Sequence, residues 1–523
     1  MKKIVSLLLV VCFLLTALLA CGEAETQAPT GGENKGTTTE TDQFGQQKFI
    51  SAVPVDSLDF NQEKIVLLCR TDEVWYREWG KKADELGDDV LDQAINTRNE
   101  KVYSDLNLQV DIVRMPLENT TNDGFKNYLY TFNKLIKSDV ESKLHEYDIV
   151  SAFAYGASDL EIRDLLANMN NKDVFPYFDF TLPCWNQTMT KNIIINDRLY
   201  CMAGDINLSM FDRAMIVWCN KDLYNECKNS DDPDIQDLAL SEDGFLYTDF
   251  YKWSEFTKTT SSNNGECDDI FGTCISSRTM YDSFIHAWDI DLVTRNNDNT
   301  HSYNIKGNKK AEECLEMLRG LIKMDGMFPG CTCNEGSADA HFVKGDIIFN
   351  LSILYPSAKS NEMLRNMEDE YCLLPVPKYN EDQENYGTTS ADSYNLITVI
   401  DHWNSTPGTK GEAVSAYLQY ATELSYTDVR GMYFGKIVEP KFFGTDDEDG
   451  TVTKSIEVFN LIIDNLQFDA PTVYSSSMDG VFWLWRDVVV KQTTLEEAFI
   501  SPPISFFIFS ASSGVKHGII LLK

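Results

Sequence analysis

The spacing of apolar positions changes several times along the chain, and each change marks an element. Lys64-Ile65-Val66-Leu67-Leu68-Cys69 is a continuous apolar run, the mark of a strand buried on both faces. Helical spacing follows, with Val90, Ala94, Val102 and Leu106 on one face. Residues 109–113 read as a second strand, 125–144 as a helical stretch and 147–153 as a third strand. Strands alternating with helices predict parallel pairing through right-handed crossovers. Ser158-Asp159-Leu160-Glu161 is a capping box that opens the next helix, so Tyr155 and Gly156 fall in a loop at a strand's C-terminal end. Ligands bind at such loops in open α/β sheets.

Two short extended runs, 193–195 and 214–219, then bracket a mixed stretch containing Gly204-Asp205. The first run is followed by the turn-forming pair Asn196-Asp197. The second ends in Asn220-Lys221-Asp222-Leu223, a polar step that caps a helix. Further on, 309–324 is amphipathic, apolar at Ala311, Cys314, Leu315, Leu318, Leu321 and Ile322. His341-Phe342-Val343-Lys344-Gly345-Asp346-Ile347-Ile348 reads as a helix end running into a strand that reaches Tyr355. Residues 371–376 and 394–400 read as strands. Residues 410–424 form a helix with Ala413, Ala416, Tyr417, Tyr420 and Leu424 on one face. Trp483, Trp485 and Arg486 precede a capped helix that starts at Thr493-Thr494-Leu495-Glu496-Glu497.

The order turn, short strand, small-residue crossing, apolar strand and Asn-Lys-Asp-Leu resembles the interlobe crossing of extracellular solute-binding proteins that feed ABC importers (solute-binding protein family 1, carbohydrate type). Phe342 to Ile348 resembles that family's F-x-x-G-x-x-A segment, with isoleucine where a small residue is usual. The resemblance covers about 1–22 and 60–499 and rests on the order of motifs more than on any one of them. It implies an α/β, two-lobed, periplasmic-binding-protein-like (type II) fold with a hinge and an interlobe cleft. Lobe one would comprise 62–212 and 390–440, and lobe two 213–389 and 441–499. The implied mechanism is solute binding with hinge closure, not catalysis, and the implied partners are ABC permease subunits. The protein is expected to work as a monomer.

The N-terminus adds a location. Met1-Lys2-Lys3 is a basic leader start, 4–19 is apolar, and Leu18-Leu19-Ala20-Cys21-Gly22 matches the bacterial lipobox. In lipoproteins the leader, here 1–20, is removed and the cysteine is acylated, so Cys21 is the expected lipidation site at the extracellular face of the cell membrane. Residues 21–61 are rich in Thr, Glu, Gly and Gln and read as a disordered tether with a reach of roughly 35 Å.

Composition narrows the partners. The chain carries 81 Asp and Glu against 45 Lys and Arg, a formal net charge of −36, which repels phosphate backbones and argues against nucleic acid. Thirteen cysteines show no framework spacing. A Cys267–Cys274 disulfide, or one involving Cys331 or Cys333, stays open. None of the six histidines is paired at metal-ligand spacing, and Asp446-Asp447-Glu448-Asp449-Gly450 lacks the closing Glu of a calcium loop, so no metal or cofactor is expected. No phosphate loop, dinucleotide fingerprint or nucleophile elbow occurs.

Aromatics beside polar residues at strand ends are the informative class. A sugar offers a C–H face that stacks on Trp or Tyr and a hydroxyl rim that needs Asp, Asn or Arg. The candidate ligand-binding residues are Asp72, Trp75, Tyr155, Asp205, Trp218, Tyr355, Asp392 and Tyr394, with Trp185 a further aromatic in the same setting. Two rival readings are a surface glycoside hydrolase with two carboxylates about 5–10 Å apart and a sensory or adhesion lipoprotein without transport. The tail, 500–523, contains no acid and abandons the family pattern, and is expected to be a frameshifted or degenerate end.

Overall fold

The computed structural model describes residues 37–41, 45–71, 76–115, 124–154, 160–161, 164–194, 197–258, 269–296, 301–329, 337–355, 364, 367–402, 410–435, 451–474, 481–491 and 493–500. The elements below belong to one unit that starts at Thr38. The strands that form its two main sheets and the small pair beside them are β1 (Glu63–Arg70), β2 (Leu108–Met115), β3 (Ile149–Phe153), β4 (Met215–Asn220), β5 (Thr257–Lys258), β6 (Ile270–Ile275), β7 (Ile347–Ile353), β8 (Tyr371–Leu374), β9 (Thr388–Thr389), β10 (Asn395–Val399) and β11 (Leu466–Gln467).

Two sheets organise the unit. The first has the order β10-β3-β1-β2 and the second β8-β4-β7-β6-β5. β1 is parallel to both neighbours, with Leu67 opposite Ile112 of β2 and Ile149 of β3. The helix Val90–Leu106 makes the crossover between β1 and β2. β10 runs antiparallel to β3, because it enters the sheet from the far side of the chain's excursion through the second sheet. In the second sheet β7 is parallel to β6 and antiparallel to β4, which is antiparallel to β8 as well. Every residue of β4 and β7 is buried, as their continuous apolar runs require. The small pair β9 and β11 lies beside the second passage between the sheets.

Helix ends follow their local chemistry. Asp89 caps the Val90–Leu106 helix, accepting from the amides of Leu91 and Asp92 at 3.0 and 3.2 Å. Asn220 caps Lys221–Cys227 through the Leu223 amide, as the Asn-Lys-Asp-Leu step predicts. Gly345 ends Ala338–Lys344 at φ +90°, where a side chain is disfavoured, and the chain turns directly into β7. The Gly411–Leu424 helix packs on Val90–Leu106 and β1, and continues through a π-helical turn, Ser425–Val429, into Arg430–Tyr433. Thr451–Asp464 packs on β8 and Ile235–Leu240, so the chain has passed back to the second sheet by then.

Two sequence expectations change here. Val90 is 48% exposed, and the buried face of its helix is Leu91, Ile95, Val102 and Leu106. Both sets share the helical period, and the larger pair Leu91 and Ile95 takes the core. The run at 193–195 does not begin as a strand: Ile193 ends a helix, Gln187–Asn192, capped by Asn186. Side chains of Asn186, Thr188 and Asn192 bond the carbonyls of Leu466 and Phe468, which holds this segment helical.

Candidate functional site

The C-terminal ends of β1, β3, β6 and β7 point to one region, and the first two chain passages run through it. The residue that gathers most there is Asp212, three residues before β4. Its carboxylate is fully buried, lies 3.3 Å from Arg77 and accepts from the Tyr433 hydroxyl at 2.7 Å. Its carbonyl accepts the Tyr355 amide at 3.0 Å. Arg77 comes from the loop after β1 and sits 5.4 Å from the centre of the Tyr355 ring, at the end of β7. The two sheets therefore meet through an arginine, a carboxylate and an aromatic ring. Burial raises the Asp212 carboxyl above the ordinary range, while Arg77, the Tyr433 bond and Arg213 pull it back. Burial also opposes the charge of Arg77, yet Asp212, Tyr433, Tyr355 and Asp92 together more than offset it.

Arg213 ties this cluster to the second passage. Burial lowers its guanidinium, and Asp212, Tyr433, Asp392 and Tyr355 all favour its charge. Asp392 in turn lies 3.3 Å from Arg486, which also pairs with the fully buried Asp282. Burial pushes Asp282 up to about 7 although Arg486 favours its ionised form. Beneath both groups Glu78 accepts from Ser209 N at 3.0 Å and Asn395 Nδ2 at 2.9 Å, with Ser151 and Asn207 at 3.4 Å. Burial raises it, and those donors hold it in one orientation. Desolvated charges held by several partners make a stiff floor, because breaking one pair strands its partner in low dielectric.

The structure brings together Tyr355 and Asp392 of the sequence-predicted residues, around Arg213. Three others lie elsewhere. Trp218 is 1% exposed, stacks edge-on against Tyr371 and donates its indole N–H to the Ile353 carbonyl at 3.2 Å. It is core of the second sheet and presents no face to a solute, because β4 is a central strand covered on both sides. Tyr394 is 0% exposed, with its ring edge-on to Phe468. Asp205 sits away from Tyr355, buried against Arg430 at 3.5 Å and raised to about 7 by that burial. Trp185 is likewise buried and donates to Gln419. Asp72, Trp75, Tyr155 and Cys21 lie outside the described residues, as do Cys267, Cys331, Cys333, the acidic turn at 446–450 and the tail from 501. Cys274 is a free, buried thiol.

Arg77, Arg213 and Arg486 are the residues the sequence reading missed. A signal existed: Arg213 is the cation immediately before an apolar strand, inside the crossing stretch itself. What was missing was the partner, since nothing in the order of residues places Arg213 beside Asp392.

A separate cavity of about 580 Å³ opens beside the second passage, between the Ser283–Ala287 helix, the 382–387 turn and the 467–471 segment. It shares no residue with the arginine floor. Among the described residues no helix is long and apolar enough to cross a membrane.

No family model and no curated protein matches the chain. Solved structures match its fold. A cyclo/maltodextrin-binding protein complexed with maltotetraose is 9% identical with a TM-score of 0.50, covering 84% of this chain and 94% of that one. A sugar transporter from Rhizobium etli in an open conformation is 12% identical with a TM-score of 0.50, covering 83% and 96%. The sugar-binding protein MalE from the phytopathogen Xanthomonas citri is 11% identical with a TM-score of 0.50, covering 83% and 94%. The fold is that of the two-lobed, type II periplasmic binding proteins, one α/β lobe around each sheet.

Proposed function

We propose that this chain is the solute-binding component of an ABC importer, and that it binds a sugar or oligosaccharide between its two sheets. The observation that carries the reading is the floor at the strand ends: Arg77 from the first sheet and Tyr355 from the second meet over Asp212, with Arg213 beside them on the passage between lobes. An aromatic ring among fixed cations and carboxylates suits a C–H face with a hydroxyl rim, and a solute touching both lobes favours their closure by its differential affinity. The acids of the floor support binding over hydrolysis, since Asp212 and Asp282 are each buried against an arginine that holds the carboxylate as its ion-pair partner. The matched folds include proteins that bind maltodextrins and other sugars, which supports the solute class.

The location belongs to the same proposal. Cys21, acylated after removal of 1–20, would hold the protein at the extracellular face of the cell membrane, with the permease subunits as its partners. The tether is shorter than the expected 21–61, because Ser51 and the Ala52 amide donate to the Glu423 carboxylate at 2.5 and 2.9 Å and Val53 is buried in the core. A glycan array on the purified protein, followed by small-angle scattering with the best binder, tests the binding reading. Saturable sugar binding with a fall in radius of gyration is the expected result. Steady release of shorter products from an oligosaccharide, or no glycan bound at all, overturns it.

A further inference from the structure

The cavity beside the second passage is built like a binding site, and the arginine floor does not use it. Its inner end is fixed by mutual hydrogen bonds. His286 reaches Thr389 of β9 through Nδ1 at 2.9 Å and Asp469 through Nε2 at 3.2 Å. Asp469 also caps the Ala470–Val473 helix, accepting from the Thr472 amide at 2.9 Å and its hydroxyl at 2.6 Å. Burial alone would raise this carboxyl, yet His286 and Thr472 keep it below the ordinary value, so it stays an acceptor. Across the opening the Gln383 amide is locked, taking the Tyr379 N–H at 3.0 Å and donating to the Ala287 carbonyl at 2.9 Å. Gly387 lets these walls meet: a Cβ there would stand 2.1 Å from the His286 carbonyl.

The outer end differs. Asp382, Glu384 and Asn385 are exposed around the mouth. Ile290, Val293 and Pro471 supply an apolar strip. A volume of about 580 Å³ falls in the range of small-molecule pockets, roughly 300–1,000 Å³. A fixed polar base, an apolar strip and an adaptable polar rim are the parts such a pocket needs.

We propose that this cavity is a second binding site, for one small polyhydroxylated solute of monosaccharide size. Hydroxyl groups both donate and accept, and the walls do the same: Asp469 and Asp382 accept, while Asn192, Asn385 and Gln467 offer carboxamides that do both. The apolar strip matches the C–H face of a sugar ring. A small organic cation fits less well, because three of the five lining carboxylates already face positive or donating groups. Asp469 meets His286, Asp291 meets the Thr294 hydroxyl at 2.8 Å, and Asp289 lies 3.9 Å from Lys310. The Arg295 guanidinium also stands at the edge, bonded to the carbonyls of Lys191 and Ile194. The site is distinct from the interlobe floor, although one segment serves both. Asp282 meets Arg486 on the floor, and His286, one turn later, lines the cavity.

Isothermal titration of the full-length protein with D-glucose, D-galactose and D-xylose, and with putrescine as the cationic control, tests the proposal. At least one monosaccharide should bind near one equivalent. Asn385→Trp, at an exposed rim position that the fold does not need, should weaken it by roughly tenfold or more, and Gln467→Leu should weaken it in the same direction. Tyr355→Ala, on the interlobe floor, should leave that affinity within about twofold. The proposal is overturned if none of the three sugars binds, if putrescine binds in their place, or if Tyr355→Ala abolishes a binding that Asn385→Trp leaves intact. The last outcome would put the monosaccharide in the cleft and leave the importer reading standing, so the two proposals fail separately.

Discussion

Replacing Asp282 by Asn should remove a large part of the protein's loss of stability with rising pH. The Asp282 carboxyl has no exposed surface, and burial pushes it from 3.8 up to about 7 in spite of Arg486. Asp392 raises it further and Arg278 lowers it. A carboxyl raised on folding binds its proton more tightly in the native state, so it contributes stability below its unfolded pKa that is lost as pH climbs through the folded one. The window therefore runs from about 4 to about 7. At 1.36 kcal/mol per unit, the part of this loss that falls between pH 5 and pH 8 is about 2.5 kcal/mol for this one group. Asn keeps the shape and hydrogen-bonding capacity but cannot ionise, and Arg486 keeps Asp392 at 3.3 Å as its counter-charge. Urea denaturation at pH 5, 6, 7 and 8, with the slope held common, measures the difference. Wild type should lose stability steadily across the series, and the variant should lose about 2.5 kcal/mol less. Asp205 and Glu161, both raised to about 7 by burial, leave a residual slope in both proteins. Equal slopes for wild type and Asp282→Asn would refute the reasoning, as would a wild type that gains stability between pH 5 and 8.

Other substitutions separate site from core. Arg213→Ala should cost roughly 2 kcal/mol in sugar affinity, about thirtyfold, measured by titration calorimetry with the glycan found on the array. Tyr355→Ala should show a similar loss together with a lower melting temperature, because the ring is only 8% exposed and packs beside Arg77. Trp218→Ala should destabilise the fold by about 3–5 kcal/mol in chemical denaturation, while Trp218→Phe should leave sugar affinity unchanged. Cys21→Ala should release the protein from membranes and abolish incorporation of labelled fatty acid, and absence of label on the wild type would remove the anchor from the proposal.

The sheets were legible because their strands are continuous apolar runs bounded by polar turns. β1, β4 and β7 lie where 64–69, 214–219 and the residues after Gly345 placed them, since a strand buried on both faces has few alternatives for so much apolar surface. The Asn220 cap and the Gly345 stop were legible for a more local reason, as each depends on one side chain, or its lack, and the next three residues. The helix face at Val90 was not, because two registers of the same period compete and only packing chooses Leu91 and Ile95. The run at 193–195 was not, because the bonds that hold Gln187–Asn192 helical come from Leu466 and Phe468, more than 250 residues away along the chain.

The site divides in the same way. The order of residues determined that an aromatic, Tyr355, would follow β7 and that Asp392 would fall just before the strand β10. It could not tell a ring on the floor from a ring in the core, since Tyr355, Trp218 and Tyr394 all follow or lie in apolar runs and differ only in which neighbours cover them. It also could not pair charges. Arg77, Asp212, Tyr433 and Tyr355 span more than 350 residues of chain, and their meeting depends on two sheets presenting the same ends to one gap. Local sequence sets what each segment becomes through hydrogen bonds and apolar spacing that act over a few residues. Desolvation of a charge, and so the raised Asp282 and the buried Asp212, is a property of everything packed around it. That property exists only once the tertiary structure has excluded water.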